Sequence, residues 1–448
     1  MPRVPPSAHG SLLLGCTRDL QRDQLGTYAR AMAAHGDIAR FRVGPPRIGF
    51  TFDATFAPDG AHQVLAADAG HYVKDAPVIG EFRYFLGDGL LVSDGDRWRQ
   101  HRRVAQPLFT RKAVTAHLAT VAAAATDLAR WCEGEATVDL HALSMRFALH
   151  ALGHTVFGED IAQAAPVLRA ALPPLGEHLK QRSLAPVRSP HWWPSPANRR
   201  AEAVRKVVWE LADRLIADRR AGGAEGDDLL SRLLRATDPD TGQGLSDDDV
   251  RDEAIIFLIA GHETTGTALA FSLYLLGRHP EVQERVRAEV EAAAGRDDVD
   301  HLPYTAQVVD EAMRLYPPAH TVVRRAAAAT ELLGYPVDRG RIVAVNIWGI
   351  HHRPSVWADP SVFRPERFAA ARAPGAAGRR PSYTHLPFGG GPRACIGEHL
   401  AMAELVAAVA AMVRRYRLAS VQETPAVEVD LSLRPGGTLP CRLEPLGR

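Results

Sequence analysis

The feature that most constrains this chain is a single cysteine between a glycine-rich loop and the start of a helix. The segment reads Phe388-Gly-Gly-Gly-Pro-Arg-Ala-Cys-Ile-Gly397, and a long stretch with helical apolar spacing follows it. Glycines let a backbone pass close to a flat ligand because they carry no Cβ. The first N–H groups of a helix lack intrahelical partners, and the positive potential there favours a thiolate over a thiol. A lone cysteine held in this way suits axial ligation of haem iron, although most free cysteines are simply small buried hydrophobes.

Bulk composition excludes several other classes of protein. The 448 residues are 46% hydrophobic and 23% charged, which is ordinary for a globular chain. The formal net charge of +1 argues against a general polyanion binder. Four scattered cysteines, with no Cys-x-x-Cys pair, exclude a zinc ribbon and a thioredoxin-like motif and fit a reducing compartment. The apolar residues 11–15 are too few for a membrane span or a normal signal peptide, so we expect a cytoplasmic protein.

A polar motif interrupts the most apolar predicted helix. Ser246 is placed to cap a helix that runs to about residue 278, before Pro280. Its middle reads Ala260-Gly-His-Glu-Thr-Thr265. Burying a glutamate costs several kcal/mol unless something uses it, and a threonine can hydrogen-bond to a carbonyl one turn earlier and bend the helix. Because Gly261 is expected to open a groove, the motif predicts a small polar gap in an apolar wall. A zinc-protease motif is excluded, because its second histidine would be at position 266, which is glycine.

Other elements follow from periodicity and from breakers. We expect helices over residues 202–220, 282–294, 305–315 and 398–418, a β-leaning segment over residues 44–64, a hairpin over residues 334–345, and an irregular loop over residues 369–382.

Together these motifs resemble those of the cytochrome P-450 family. Phe388, Gly391, Arg393, Cys395 and Gly397 match its haem-binding signature, Phe-x-x-Gly-x-Arg-x-Cys-x-Gly. The resemblance spans roughly residues 37–445. It implies a mainly α fold with small β-sheets and haem between the long central helix and the helix after the cysteine loop. Residues 1–36 would be an N-terminal segment, and residues 37–448 a single catalytic domain.

The resemblance also assigns roles to individual residues. It implies haem b (iron protoporphyrin IX) with Cys395 as the iron ligand and Glu263 with Thr264 as the acid–alcohol pair that activates oxygen. Phe388, Arg393 and Gly397 would bind the haem from the cysteine loop. Other positions match further family motifs: Trp98 and Arg102 as a haem-propionate pair, Arg324 as another propionate ligand with Arg325 as an adjacent rival, and Glu311, Arg314 and Arg367 as a structural ion network.

A mainly apolar substrate pocket is expected from the same resemblance. Its predicted lining consists of Val78, Phe82, Phe85, Leu258, Ala260, His320 and Val322. An uncharged lipophilic substrate, such as a terpenoid or another secondary metabolite, suits such walls.

The implied activity is insertion of one oxygen atom from O2 into a C–H or C=C bond. Electrons would come from NAD(P)H through a ferredoxin and a ferredoxin reductase, because the sequence has no phosphate-cradle or dinucleotide fingerprint. The basic run at residues 97–112 is either a docking patch for an acidic donor or an ordinary solvated face. We expect a monomer that binds no nucleic acid and has no membrane span. Two alternatives remain open: a haem-thiolate isomerase, dehydratase or peroxygenase, and a non-catalytic haem sensor.

Overall fold

Helices dominate the computed structural model, which describes residues 4–222, 226, 228–293, 296, 298–372, 383–430 and 432–447. The α-helices are α1 (Thr17–Arg22), α2 (Gln24–His35), α3 (Pro58–His62), α4 (Pro77–Leu86), α5 (Gly95–Ala105), α6 (Arg111–Thr115), α7 (Leu118–Arg130), α8 (Leu140–Leu152), α9 (Ala164–Ser183), α10 (Pro196–Ala221), α11 (Leu229–Arg235), α12 (Asp247–Arg278), α13 (Pro280–Ala292), α14 (Pro303–Leu315), α15 (Ile347–His351), α16 (Ala369–Arg372) and α17 (Glu398–Arg415).

The strands form small sheets at the edges of the helical body. They are β1 (Ile38–Val43), β2 (Phe50–Thr55), β3 (Tyr72–Val73), β4 (Thr137–Asp139), β5 (Val322–Ala326), β6 (Thr330–Leu332), β7 (Tyr335–Val337), β8 (Ile342–Val345), β9 (Tyr416–Ser420), β10 (Val427–Val429), β11 (Leu433–Pro435) and β12 (Pro440–Pro445). One sheet has the strand order β1-β2-β8-β5-β3, and another has the order β4-β12-β9. Only the pairing of β2 with β8 is parallel among the described ladders. The predicted mainly α fold with small sheets is confirmed.

The central helix α12 has the predicted bounds because both of its ends carry strong local signals. Ser246 and Asp249 form a reciprocal capping box, and Pro280 follows the C-cap at His279. By length and apolarity α12 could cross a membrane, but 83% of its most apolar window is buried inside the fold. It packs against α8, α14 and α17, as the core helix of a globular body does.

The N-terminal helices belong to one of the hydrophobic clusters. Leu20 and Tyr28, from α1 and α2, pack with Phe41, Phe52 and Phe56 beside strands β1 and β2. The two rings of Phe41 and Phe52 stack with centroids 5.1 Å apart. Burial of these aromatic side chains therefore ties the first helices to the large sheet.

Three of the element predictions need correction. The hairpin predicted over residues 334–345 is wrong: β7 pairs with β6 across a tight turn, whereas β8 pairs with β2 and β5. The last predicted helix stops at Arg415, and its final residues begin β9. The segment 44–64 is only partly strand, because α3 follows β2. Of the predicted loop over residues 369–382, the structure shows helix α16, and residues 373–382 lie outside the described part.

A buried ion network joins α14 to the segment before α16. Arg314 donates from Nε to Glu311 Oε2 at 2.7 Å and from Nη2 to Glu311 Oε1 at 2.9 Å. Arg367 donates from Nε to the same Oε1 at 3.0 Å. Glu311 and Arg314 are fully buried, and Arg314 also donates to the carbonyl oxygens of His351 and Pro360. The charges are thus satisfied on all sides, which a buried pair needs if it is not to destabilise the fold.

Candidate functional site

The cysteine loop reaches α17 through a backbone that requires glycine at one position. Gly391 has φ +69°, and a Cβ there would lie 1.7 Å from the carbonyl oxygen of Leu65. Any side chain would therefore push the loop away from residues 63–67. The backbone N–H of Cys395 donates to the carbonyl of Phe388 at 2.8 Å, which closes the loop on itself. Gly397 is the N-cap of α17, so Cys395 lies two residues before it.

The side chain of Cys395 is accessible to solvent, yet it is surrounded by enough protein that burial raises the pKa of the thiol. Together these two observations indicate that the thiol borders an internal space. The backbone N–H of Gly397 opposes this rise by hydrogen bonding to the sulfur. The sequence predicted that the helix N-terminus would favour the thiolate form of Cys395. In the protein alone, burial raises the pKa of the thiol by more than the helix terminus lowers it. A bound metal cation is what can tip this sulfur fully to the thiolate.

Four basic side chains converge beside this space. They come from β5, from α5, from the cysteine loop and from the residue after β3: Arg324, Arg102, Arg393 and Lys74. Burial lowers the pKa of Arg324 to about 10, with a further contribution from Arg393. Burial likewise lowers the pKa of Lys74 far below its usual value, and Arg324 and Arg393 lower it further. Asp94, which hydrogen-bonds Arg393, offsets only part of this charge. The cluster fits a dianionic ligand such as a haem with two propionates.

The structure distinguishes Arg324 from its neighbour. Arg324 is 7% exposed, and its described hydrogen bond goes only to the carbonyl of Val323 at 3.0 Å. Arg325 points to the surface and pairs with Asp75 at 2.7 Å. Alternation along β5 explains the difference, because successive strand residues face opposite sides of a sheet. Arg324 is therefore the one available to an internal anion.

Trp98 and Arg102 lie on the face of α5 that meets the cysteine loop. Arg102 Nη1 donates to the carbonyl of Ala394 at 3.1 Å. The guanidinium of Arg393 lies over the Trp98 ring at 4.2 Å from its centroid, which is a cation–π contact. Their i, i+4 spacing therefore does bring both side chains to this loop, directly next to Cys395.

On α12, one narrow stripe is open while the rest of the helix middle is buried. Ala260, Gly261 and Thr264 are partly exposed between fully buried turns. Thr264 Oγ1 donates to the carbonyl of Ala260 at 2.6 Å, the hydrogen bond one turn back that the motif allows. The expected reason for Gly261, that it opens a groove, needs a correction. A Cβ at this position would lie 2.9 Å from Leu152 Cδ1, so the glycine allows the close packing of α12 on α8.

Glu263 is buried and held from one side only. Ser432 donates from Oγ to Glu263 Oε1 at 2.7 Å, whereas Oε2 has no hydrogen-bond partner among the described residues. Burial raises the pKa of Glu263, and the hydrogen bond from Ser432 opposes this rise. Asp430 and Arg434 lie on the same hairpin and line a surface cavity of about 400 Å³. Ser432 thus links the buried acid to the hairpin that lines this cavity.

Sequence reasoning missed Ser432, Lys74 and Asp94. Ser432 is 169 residues from Glu263, and no local pattern marks it. Lys74 is buried although it reads as an ordinary basic residue beside a short strand. Only contacts made by folding reveal these three.

The predicted pocket residues divide by exposure. Val78, Phe82, Ala260 and Val322 are partly exposed, as residues lining an open space are. Leu258 and Phe85 are 0% and 2% exposed and belong to the packed core, so no open space reaches their side chains. His320 is buried, its Nδ1 lies 2.9 Å from Thr321 Oγ1, and burial lowers its pKa to about 4.

The basic run at residues 97–112 is largely neutralised by distant acids. Arg97 pairs with Asp249 at 2.6 Å, and Arg103 pairs with Asp238 at 2.6 Å. Arg99 and Arg111 also pair with aspartates. This favours the ordinary solvated face over a bare positive docking patch, because paired charges project a weaker field.

Comparison with known proteins agrees with this geometry. A family model described as Cytochrome P450 matches residues 5–439. The chain is 37% identical to cyclooctat-9-en-7-ol 5-monooxygenase of Streptomyces melanosporofaciens over 99% of this chain and 96% of that protein. It is 32% identical to cyclooctatin synthase of the same organism, over 96% and 93%. It is also 34% identical to leukotriene-B4 omega-hydroxylase 3 of Mus musculus, over 87% and 79%.

Proposed function

Because this chain belongs to the cytochrome P450 family, we propose that it inserts one oxygen atom from O2 into a lipophilic terpenoid. Monooxygenase activity follows from the family and from the named relatives. The terpenoid substrate class is the part that we propose. The two Streptomyces relatives support it by their names. The partly exposed apolar side chains of Val78, Phe82 and Val322 support it by their chemistry, since such walls favour an uncharged ligand.

The observation that carries the proposal is the accessible thiol of Cys395 beside four basic side chains, of which Arg324 and Lys74 are buried. Haem b would be held through its iron by Cys395, and its two propionates would pair with basic groups among Arg102, Arg324, Arg393 and Lys74. When bound, the thiolate-ligated haem supplies the oxygen activation that hydroxylates unactivated carbon.

The protein's own part in the proton chemistry lies on α12. Burial raises the pKa of Glu263, so its carboxyl group holds a proton inside the fold more readily than an exposed glutamate does. Thr264 presents a hydroxyl on the open stripe, one residue away on the same helix. We infer that Glu263 passes protons from the Asp430 side toward this hydroxyl, and that Ser432 fixes the carboxyl for the transfer.

The side chains that line the substrate pocket would orient the substrate. We expect the partly exposed side chains of Val78 and Phe82 on α4 and of Val322 on β5 to contact the substrate. His320 is neutral near pH 7 and can share a hydrogen bond with a hydroxyl or carbonyl of the substrate. The carbon held nearest the iron then decides the product.

Three spectra and one turnover assay test the function. Reduced holoprotein with carbon monoxide is expected to show the red-shifted Soret band of thiolate-bound haem. A cyclic terpenoid alcohol is expected to displace iron-bound water and shift the ferric Soret band to shorter wavelength, and an acidic lipid such as a fatty acid is the matched comparison. Turnover that needs no O2 or no electron donor would instead favour the isomerase, dehydratase or peroxygenase alternative.

We further propose that a ferredoxin and its reductase deliver the electrons from NAD(P)H in the cytoplasm, as part of secondary metabolism. Since most arginines of the basic run are paired, the reduction rate should depend only weakly on ionic strength. A steep salt dependence would show that a charged patch dominates docking.

A further inference from the structure

A cluster of two histidines and a glutamate lies far from the cysteine loop along the chain. Glu81 is on α4, His178 is on α9, and His191 is in the segment that joins α9 to α10. One ligand atom from each lies within 4.8 Å of the others. Glu81 and His178 are 4% and 9% exposed, so the cluster is internal rather than a chance grouping on the surface.

Two nitrogens of this cluster are unused by the protein. His178 Nε2 and His191 Nδ1 are buried and have no hydrogen-bond partner among the described residues. A buried polar atom left without a hydrogen-bond partner destabilises the fold. Burial also lowers the pKa of both imidazoles, which keeps them neutral and their lone pairs free near pH 7. Unpartnered neutral imidazoles beside a carboxylate are the donor set of a transition-metal site.

Surrounding side chains hold the rings in place. Tyr84 stacks on His191 with ring centroids 3.6 Å apart, and the Tyr84 hydroxyl hydrogen-bonds Glu202. Phe85 meets His178 edge-on at 5.6 Å. Packing of this kind restricts the histidine rotamers, so less freedom is lost when an ion binds.

Arg182 is the group that opposes cation binding here. Its Nε donates to Glu81 Oε2 at 2.6 Å, and His191 Nε2 lies 3.1 Å from the same oxygen. Both of these contacts end on Oε2, so an ion would bind through the other carboxylate oxygen, Oε1. The nearby guanidinium repels a dication, so we expect affinity in the micromolar range rather than that of a structural zinc site.

We propose that Glu81, His178 and His191 form a binding site for Zn²⁺ or a similar divalent transition ion, which ties α4 to α9 and to the segment after it. Tetrahedral Zn²⁺ holds its ligands about 3.3 Å apart, so small side-chain rotations complete the site. Mg²⁺ and Ca²⁺ prefer oxygen ligands and would not compete. Helix α4 carries Val78 and Phe82 of the predicted pocket lining, so a bound ion stiffens that part of the pocket.

Metal content of the holoprotein tests the site without any measurement of activity. The protein is treated with a chelator and desalted, then titrated with Zn²⁺ alone by calorimetry and assayed for zinc relative to haem iron. We expect one zinc per iron, with affinity reduced at least tenfold in His178→Ala and in His191→Ala. His71→Ala is the control, because His71 is an exposed histidine outside the cluster. Equal zinc binding in wild type and in His178→Ala would overturn the proposal.

A second measurement tests the tie between the elements. Trypsin cleavage after Arg188, in the segment following α9, should slow at least threefold when Zn²⁺ is added to the wild type. The rate for His191→Ala should not change with Zn²⁺. Cleavage that Zn²⁺ slows equally in both proteins would mean that the ion acts elsewhere. An unaltered circular dichroism spectrum of each variant shows that it is folded, and these outcomes do not depend on which substrate the enzyme oxidises.

Discussion

Glu404 is a buried carboxyl group that should limit stability at neutral and alkaline pH. It lies on α17, is 5% exposed, and its Oε1 has no hydrogen-bond partner among the described residues. Burial raises its pKa to about 8, with Thr155 opposing the rise through a side-chain hydrogen bond. The folded protein therefore keeps this proton over a pH range in which the unfolded chain releases it.

The sign and size of the effect follow from that difference. A carboxyl group whose pKa is raised on folding favours the folded state fully below its unfolded pKa of 4.5, and the contribution is lost as pH rises toward 8. Each pH unit between these values removes about 1.4 kcal/mol. From pH 5.5 to pH 7.5 the free energy of unfolding should thus fall by about 2–3 kcal/mol through this group alone.

Replacing the group by its neutral analogue tests the calculation. In Glu404→Gln the amide has the same shape and no charge, so the variant should gain stability over the wild type as pH rises, by about 2–3 kcal/mol across that range. Guanidinium unfolding of both holoproteins at pH 5.5, 6.5 and 7.5 measures the difference. Glu281→Gln is the control because that side chain is 71% exposed. A constant offset between Glu404→Gln and wild type at all three pH values would refute the reasoning.

Other predictions concern the ion network, the proton route and the cation cluster. Arg314→Ala leaves a buried carboxylate without its main partner, which should cost about 3–5 kcal/mol and reduce the yield of holoprotein; a melting temperature equal to wild type would contradict this. Ser432→Ala removes the hydrogen bond that restrains the pKa of Glu263, so the limb of the turnover–pH profile set by Glu263 should move to higher pH, and an unmoved limb would exclude that role. Arg324→Leu should increase the rate of haem transfer to apomyoglobin at least tenfold, whereas Arg325→Leu should change it less than twofold; equal rates would remove the distinction between them.

Sequence patterns predicted those parts of the molecule whose causes are local. The bounds of α12 were predictable because Ser246, the acidic first turn and Pro280 act within one turn of the helix ends. The hairpin over residues 334–345 was mispredicted because strand pairing is a long-range choice: β8 finds β2 and β5 instead of its sequence neighbour. Boundaries near Tyr416 failed for the same reason, since β9 is defined by its pairing with β12.

The same distinction holds within the site. The i, i+4 spacing of Trp98 and Arg102 was enough to predict that their side chains lie on one face of a helix. The glycines around Cys395 were enough to predict the cysteine loop. The hydrogen-bond partner of Glu263 and the placement of Lys74 depend on segments that are far apart in the sequence. The difference between Arg324 and Arg325 depends on which face of β5 is buried. The roles of the site residues in binding and catalysis stay predictions that the experiments above address.

The convergence of Arg102, Arg324, Arg393 and Lys74 on one internal space has a consequence for biogenesis. Arg324 and Lys74 are buried and Arg102 and Arg393 are partly buried, so repulsion between these basic groups lowers the stability of the polypeptide without its prosthetic group. Loading of the dianion relieves that repulsion and stabilises only the native state, by RT ln(1 + [L]/Kd). The supply of haem should consequently determine how much of this protein a cell accumulates, because chains that have not bound haem are less stable and are degraded.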